Sequence, residues 1–446
     1  MKEEKNHRGC SCCGRRDFMA AMGLGAGALA LGSTAAFAPT LSHASTIKKG
    51  TAVVKAAFIY TPSENLHWKW WGWPVKDFDA EARQKEYKKG IETIEQDLGM
   101  AISVPETPLY DEQGINGFIE DVKRSKPDGV LLIPLFNWHF NYIDKVVNSV
   151  ATDGEFGIPT IIFSCLGVHH GSIKKYQKKN VDIIQSLDNM DALEYAMRMI
   201  KTRRLMRESR IISVAGRESR KDTVPFWGTE VVGVPIPQFV AEVERTEITD
   251  DVRKLARAFV RNAKKTLEPK EDEILTAAKV HFADKRILDE HGGDAIMMDC
   301  LHRGEYQPCM SFMTLRDEGI PAGCENDLSA TLTLMLAQYL FNRPGFQHNP
   351  CYETEANHYF ASHCTSASKL FGIDKPSEPY LLRNFAHTND PTCVPQVLWR
   401  EGEDVTMAHC MEGDPPTTLV YSGEVVKWYE MPPVGGCRTN VEITIN

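Results

Sequence analysis

From Val53 to Phe163 the apolar positions switch repeatedly between two periods. Short continuous or alternating runs (AVVKAAFIY, ISV, GVLLIPL, PTIIF) are separated by stretches with apolar residues three and four apart, near 79–98, 113–124 and 141–152. The first kind predicts strands and the second amphipathic helices; their alternation predicts a doubly wound, mostly parallel sheet. A second unit of the same kind is expected between about 180 and 345. RIISVAG and AIMMDC read as its strands, and 250–265, 271–289 and Leu328–Leu340 as its helices. Beyond Pro350 the texture changes to DVTMAHC, TTLVYSGEVV and CRTNVEITI, set between Gly, Pro and Asp, which predicts a smaller β-rich domain. The fold class is therefore α/β: two Rossmann-like units, 45–175 and 176–345, then a β-rich end over 346–446.

The pattern before residue 45 is of another kind. Five basic residues precede the small apolar run AAMGLGAGALALG, and Ser42-His43-Ala44 offers a cleavage site. That is the layout of a signal peptide, residues 1–44. Arg15-Arg16 before Asp17-Phe18-Met19 resembles the twin-arginine export signal, so the expected partner during export is the twin-arginine translocase and the expected location periplasmic or extracytoplasmic. The run is short and rich in Gly and Ala, which argues against stable membrane insertion after cleavage.

Composition narrows the functions. The whole chain has 446 residues, 51 basic against 60 acidic and a net charge of −9, a balance that suggests no surface built to hold phosphate backbones. Without the leader it keeps 9 of 12 cysteines and −11. Nine thiols in some 400 residues are too dilute for a disulfide scaffold. Neither G-x-G-x-x-G nor G-x-x-x-x-G-K-[ST] occurs, so nucleotide binding has no motif support.

The densest group of candidate ligands lies between 299 and 363: Asp299, His302 and Glu305, then Glu325 and Asp327, then His358 and His363. Both CLHRGEY and GCEND follow apolar strand-like runs, and ligands in open α/β sheets gather at the carboxyl ends of strands. Asp327 also directly precedes a helical pattern, where a carboxylate is the ordinary N-cap. Two carboxylates and an imidazole suit Mn²⁺ or Mg²⁺. Cys300, Cys309, Cys324 and Cys364 share the stretch, but no C-x₂₋₄-C spacing marks a thiolate zinc site, and they read as small buried residues. Four tryptophans crowd into HWKWWGW after the first strand, and Asn137-Trp138-His139 follows the third. Trp68, Trp71, Trp138 and His139 are candidates to stack on a sugar ring and hold its hydroxyls, or to bury against a partner subunit. Arg438 is either a further substrate contact or part of a solvated turn; His387 and His409 read as structural or exposed.

CENDLSATLTLMLAQYL and, later, EANHYFASHCTSASKL resemble the metal-site region of the L-fucose and L-arabinose isomerase superfamily. The resemblance implies that Glu305, Asp327 and His363 bind the metal, with Glu325 an alternative ligand, that Glu305 and Asp327 move protons, and that His358 lies by the substrate. It implies an aldose–ketose isomerase with Mn²⁺ (or Mg²⁺), a monosaccharide substrate and a homo-oligomer. An epimerase, lyase or hydrolase on the same scaffold stays open, and so does a periplasmic carbohydrate-binding protein with a Trp-lined cleft.

Overall fold

A computed structural model of the chain describes residues 50–446 apart from 67–76, 152–156, 166–167, 169–170, 172, 302–305, 388–391, 412, 414–415 and 432–435. The expected leader, 1–44, lies outside the described residues. Among the described residues no helix is long and apolar enough to cross a membrane.

The first sheet comprises β1 (Val53–Ile59), β2 (Ala101–Ser103), β3 (Gly129–Pro134), β4 (Thr160–Cys165) and β5 (Val181–Ser186), all parallel in the order β2-β1-β3-β4-β5. Helices α1 (Ala80–Leu98), α2 (Glu112–Ser125), α3 (Phe140–Val150) and α4 (Met190–Glu208) cover its faces. The three buried positions Val54, Ala56 and Phe58 share one core with α1 and α4, while Ala57 and Ile59 share another with α2 and α3. Period-two alternation in β1 thus feeds two cores, because a parallel sheet is covered on both faces. Asp79 and Asp111 start α1 and α2 by accepting hydrogen bonds from Ala82 and Gly114 amides, each at 2.8 Å. This sheet runs to Ser186, past residue 175 where the sequence suggests the first unit ends.

The second sheet comprises β6 (Arg210–Val214), β7 (Arg220–Thr223), β8 (Glu230–Val234), β10 (Ala295–Met298) and β11 (Ala322–Cys324), with the short β9 (Lys265–Thr266) elsewhere. Its order is β11-β10-β6-β8-β7, parallel except for the edge strand β7. Helices α5 (Ile236–Arg245), α6 (Asp250–Asn262), α7 (Glu271–His291), α8 (Cys309–Asp317) and α9 (Leu328–Phe341) accompany it. The β-rich end follows. Strands β12 (Asn349–Glu353) and β13 (His358–His363) join β16 (Asp404–Met411), β17 (Thr417–Trp428) and β18 (Thr439–Thr444) in an antiparallel sheet, β12-β13-β18-β17-β16. Between them β14 (Tyr380–Arg383) and β15 (Val394–Val397) pair with each other, and β14 pairs with β9, so the last region is tied back into the second unit.

Each parallel sheet has one place where the strand order reverses. In the first it lies between β1 and β3, and in the second between β6 and β10. At such points the loops leaving adjacent strands diverge to opposite faces and open a crevice beyond the carboxyl ends.

Candidate functional site

The crevice of the second sheet is built by hydrogen bonds that draw three loops together. The Asp299 amide donates to Val214 O at 3.0 Å, the Asn326 amide to Met298 O at 2.8 Å, and Ser213 Oγ to Asn326 Oδ1 at 2.8 Å. Buried Gln347 fixes the end of β11: its Oε1 accepts from the Cys324 amide at 2.7 Å and its Nε2 donates to Cys324 O at 3.1 Å. The chain then turns through Glu325 at φ 61° and Asn326 at φ 53°. Asparagine tolerates this left-handed region, but glutamate takes it at a cost of about 1–2 kcal/mol. The surrounding bonds overdetermine the turn, and backbone strain held in this way collects at functional sites.

The turn brings Glu325 to His363, the last residue of β13. Glu325 Oε1 is 3.3 Å from His363 Nε2, and the imidazole is 1% exposed. Beyond that contact, neither ring nitrogen of His363 has a hydrogen-bond partner among the described residues. A buried imidazole nitrogen left this way, as Nδ1 is, is unusual, since buried polar atoms are nearly always bonded. The neighbouring imidazole holds the Glu325 carboxyl below the ordinary carboxylate range against the opposing effect of burial, with Asn349 and His387 adding to the lowering. An ionised carboxylate beside a buried imidazole is a donor pair for a divalent cation.

The other expected site residues divide clearly. Glu305, with His302, lies outside the described residues, as do Trp68 and Trp71. Asp327 takes its competing role: it is the N-cap of α9, with Oδ1 accepting from the Ala330 amide at 2.8 Å. Of the two carboxylates weighed as ligands, Glu325 rather than Asp327 meets His363, because the left-handed turn points consecutive side chains in different directions. His358 is not beside His363 either. It begins β13, five residues away along an extended strand, which is some 16 Å at about 3.3 Å per residue, and its Nδ1 lies 2.5 Å from Glu442 Oε1. Arg438 is no solvated turn: it is half-buried, and its Nε donates to Asn384 O at 2.6 Å. His409 is exposed on β16.

Sequence reasoning missed a group of thiols beside His363. Cys364, His387 and Cys437 bring their ligand atoms within 4.8 Å of one another. They are 23 and 50 positions apart, so no spacing signals them. Cys300, Cys309, Cys324 and Cys364 are buried, as expected, and Cys324 also lies 3.7 Å from the guanidinium of buried Arg316.

The crevice of the first sheet holds the remaining candidates. His139 Nε2 is 2.9 Å from Thr61 Oγ1, linking the loops after β3 and β1. Its ring stacks on Tyr142 at 5.5 Å between centroids, and burial pushes its pKa down to about 4. The ring is buried rather than exposed. Trp138 remains 40% exposed against Phe136, with centroids 4.7 Å apart. Nearby, Tyr60, Gln84, Glu81, Lys88 and Glu106 line an open groove of about 1020 Å³.

No family model matches this chain, and no curated protein does. Among solved structures, a solute-binding protein of an ABC transporter from Burkholderia multivorans is 14% identical, covering 56% of this chain and 80% of its own, with a TM-score of 0.18. A sugar-binding protein of a sugar ABC transporter from Bacillus halodurans is 15% identical, covering 68% and 90%, also with a TM-score of 0.18. Superpositions this loose leave function to be argued from the site itself.

Proposed function

We propose that this chain is a divalent-metal-dependent enzyme acting on a sugar or sugar derivative outside the cytoplasm, with aldose–ketose isomerisation as its reaction. The observation that carries the reading is the meeting of Glu325 with buried His363 beyond the carboxyl end of β11. A carboxylate and an imidazole fit Mn²⁺ or Mg²⁺, as the resemblance implies. When bound, such an ion supplies the positive charge that an aldose needs as its carbonyl oxygen becomes negative during proton transfer between C2 and C1. Glu325, kept ionised, and His363 would hold the ion. Glu305 is assigned the proton transfer, and Asp327 serves the turn by capping α9. The test is metal analysis of the purified chain, followed by a panel of aldoses assayed for ketose with added Mn²⁺. Turnover lost on chelation, restored by Mn²⁺ and absent in Glu325→Gln is the expected result. Full turnover after exhaustive chelation, or in Glu325→Gln, refutes it.

The open groove at the first sheet, lined by Tyr60, Gln84, Glu81, Lys88 and Glu106, favours a second reading: carbohydrate binding without chemistry. Monosaccharide-induced changes in tryptophan fluorescence that persist in chelator, with no ketose formed from any aldose, would establish that reading in place of the first.

A further inference from the structure

Beside His363 a second set of ligand atoms converges. Cys364 follows the end of β13, His387 lies in the turn after β14, and Cys437 precedes β18. They meet because β13 and β18 are paired, with His363 opposite Thr439, and because Arg438 Nε ties β18 to the backbone of Asn384. Cys364 Sγ is 3.6 Å from Cys437 Sγ, and His387 Nε2 is 3.0 Å from Cys437 Sγ. Two sulfurs in a disulfide sit about 2.0 Å apart. Two thiolates bound tetrahedrally to one zinc at about 2.3 Å each sit about 3.8 Å apart. The spacing here is that of the tetrahedron's edge. The imidazole nitrogen aimed at the same sulfur has no part in a disulfide and is a third donor for a metal.

A buried cation lies close to the cluster. Arg316, on α8, is 1% exposed and donates to Ala322 O at 2.5 and 2.8 Å and to Thr365 O at 3.2 Å. No carboxylate among the described residues lies within ion-pair distance of it. Burial disfavours its charge, and Cys324, Cys309 and Asp317 favour it. Cys309 packs in one cluster with Cys364, Phe385 and Cys437.

We propose that Cys364, His387 and Cys437, with Cys309 as fourth ligand, hold a zinc ion in a site separate from the Glu325–His363 pair. Cysteine and histidine donors select a borderline-soft divalent metal, and four protein ligands make a closed, structural site. The zinc fastens the end of β13 to β18 and to the turn after β14, which fixes the strand position from which His363 faces Glu325. The site does not depend on the sugar reading.

The full chain, purified and desalted, is analysed for metal by mass spectrometry, and its Co²⁺-exchanged form is examined by absorption. The expected result is one zinc per chain and a sulfur-to-cobalt charge-transfer band. Cys437→Ser removes both. His387 is exposed, so His387→Ala spares the core; it too loses the band, with an unchanged circular dichroism spectrum. Glu325→Gln keeps zinc and band, which separates this site from the other. Absence of zinc, a cobalt spectrum without the sulfur band, a band unaltered in His387→Ala, or a Cys364–Cys437 disulfide found by peptide mapping overturns the proposal.

Discussion

Asp284, on α7, sits beneath the helix that carries Cys309 and Arg316. It is fully buried; Oδ2 accepts from Ser311 Oγ at 2.6 Å, and Oδ1 has no partner. Burial pushes its pKa up from 3.8 to about 7, with the Ser311 bond opposing. Because the folded pKa lies above the unfolded one, the unfolded chain releases this proton first. The stabilisation from the neutral acid is complete below about pH 3.8 and is lost as pH rises to about 7. At about 1.4 kcal/mol per pH unit the whole loss is about 4 kcal/mol, of which about 2.5 kcal/mol falls between pH 5 and 8. Asp284→Asn removes the titration and keeps the shape. His281, whose pKa burial lowers to about 4, acts in the opposite direction, gaining stability as pH rises, but it is present in both proteins and cancels in the difference. Urea-unfolding free energies of wild type and variant at pH 5 and 8 give the answer. The variant's stability relative to wild type rises by about 2.5 kcal/mol across that interval. Parallel pH dependence in the two proteins refutes the buried neutral acid.

Three further outcomes follow from the turn at the second crevice. Asp327→Asn retains the α9 cap and leaves turnover and metal content unchanged, whereas Asp327→Ala costs about 1 kcal/mol; loss of turnover in the Asn variant, checked by steady-state assay, returns Asp327 to the chemistry. At Glu325, φ 61° makes Gly more stable than Ala by about 1 kcal/mol, the reverse of the order in a helix or strand; equal thermal midpoints for the two variants refute the strain. A Cβ at Gly323 would lie 2.0 Å from Oγ1 of buried Thr331, so Gly323→Ala destabilises by about 1–3 kcal/mol and lowers the metal affinity of the Glu325 site, read by unfolding and Mn²⁺ titration.

What was legible in the sequence follows the range of the interactions. The strands AVVKAAFIY, GVLLIPL and AIMMDC and the helices starting at 80, 250, 271 and 328 stand within a few residues of where periodicity predicts them, because each buries a face that its own spacing defines. Helix α4 escaped notice. Its buried positions, Leu193 to Met206, alternate with Arg198, Arg204 and Arg207, and it packs against both α1 and α9. Partners on two sides smear a single-face period. The thiol group was invisible for a stronger reason: three strand pairings, β13 with β18, β14 with β15 and β14 with β9, bring its residues together, and none has a local signature.

Asp327 and Glu325 show how a motif can mark a place without fixing which side chain meets which partner. GCEND marks the end of a parallel strand and the start of a helix, and both features are correct. Which carboxylate turns inward is decided by two backbone dihedrals. With Glu325 and Asn326 both left-handed, the aspartate falls at the N-cap and the glutamate falls toward His363. The strained turn at Glu325 and the buried imidazole of His363 meet in one contact, a departure from local rules of the kind that marks functional sites. A divalent cation would engage both residues.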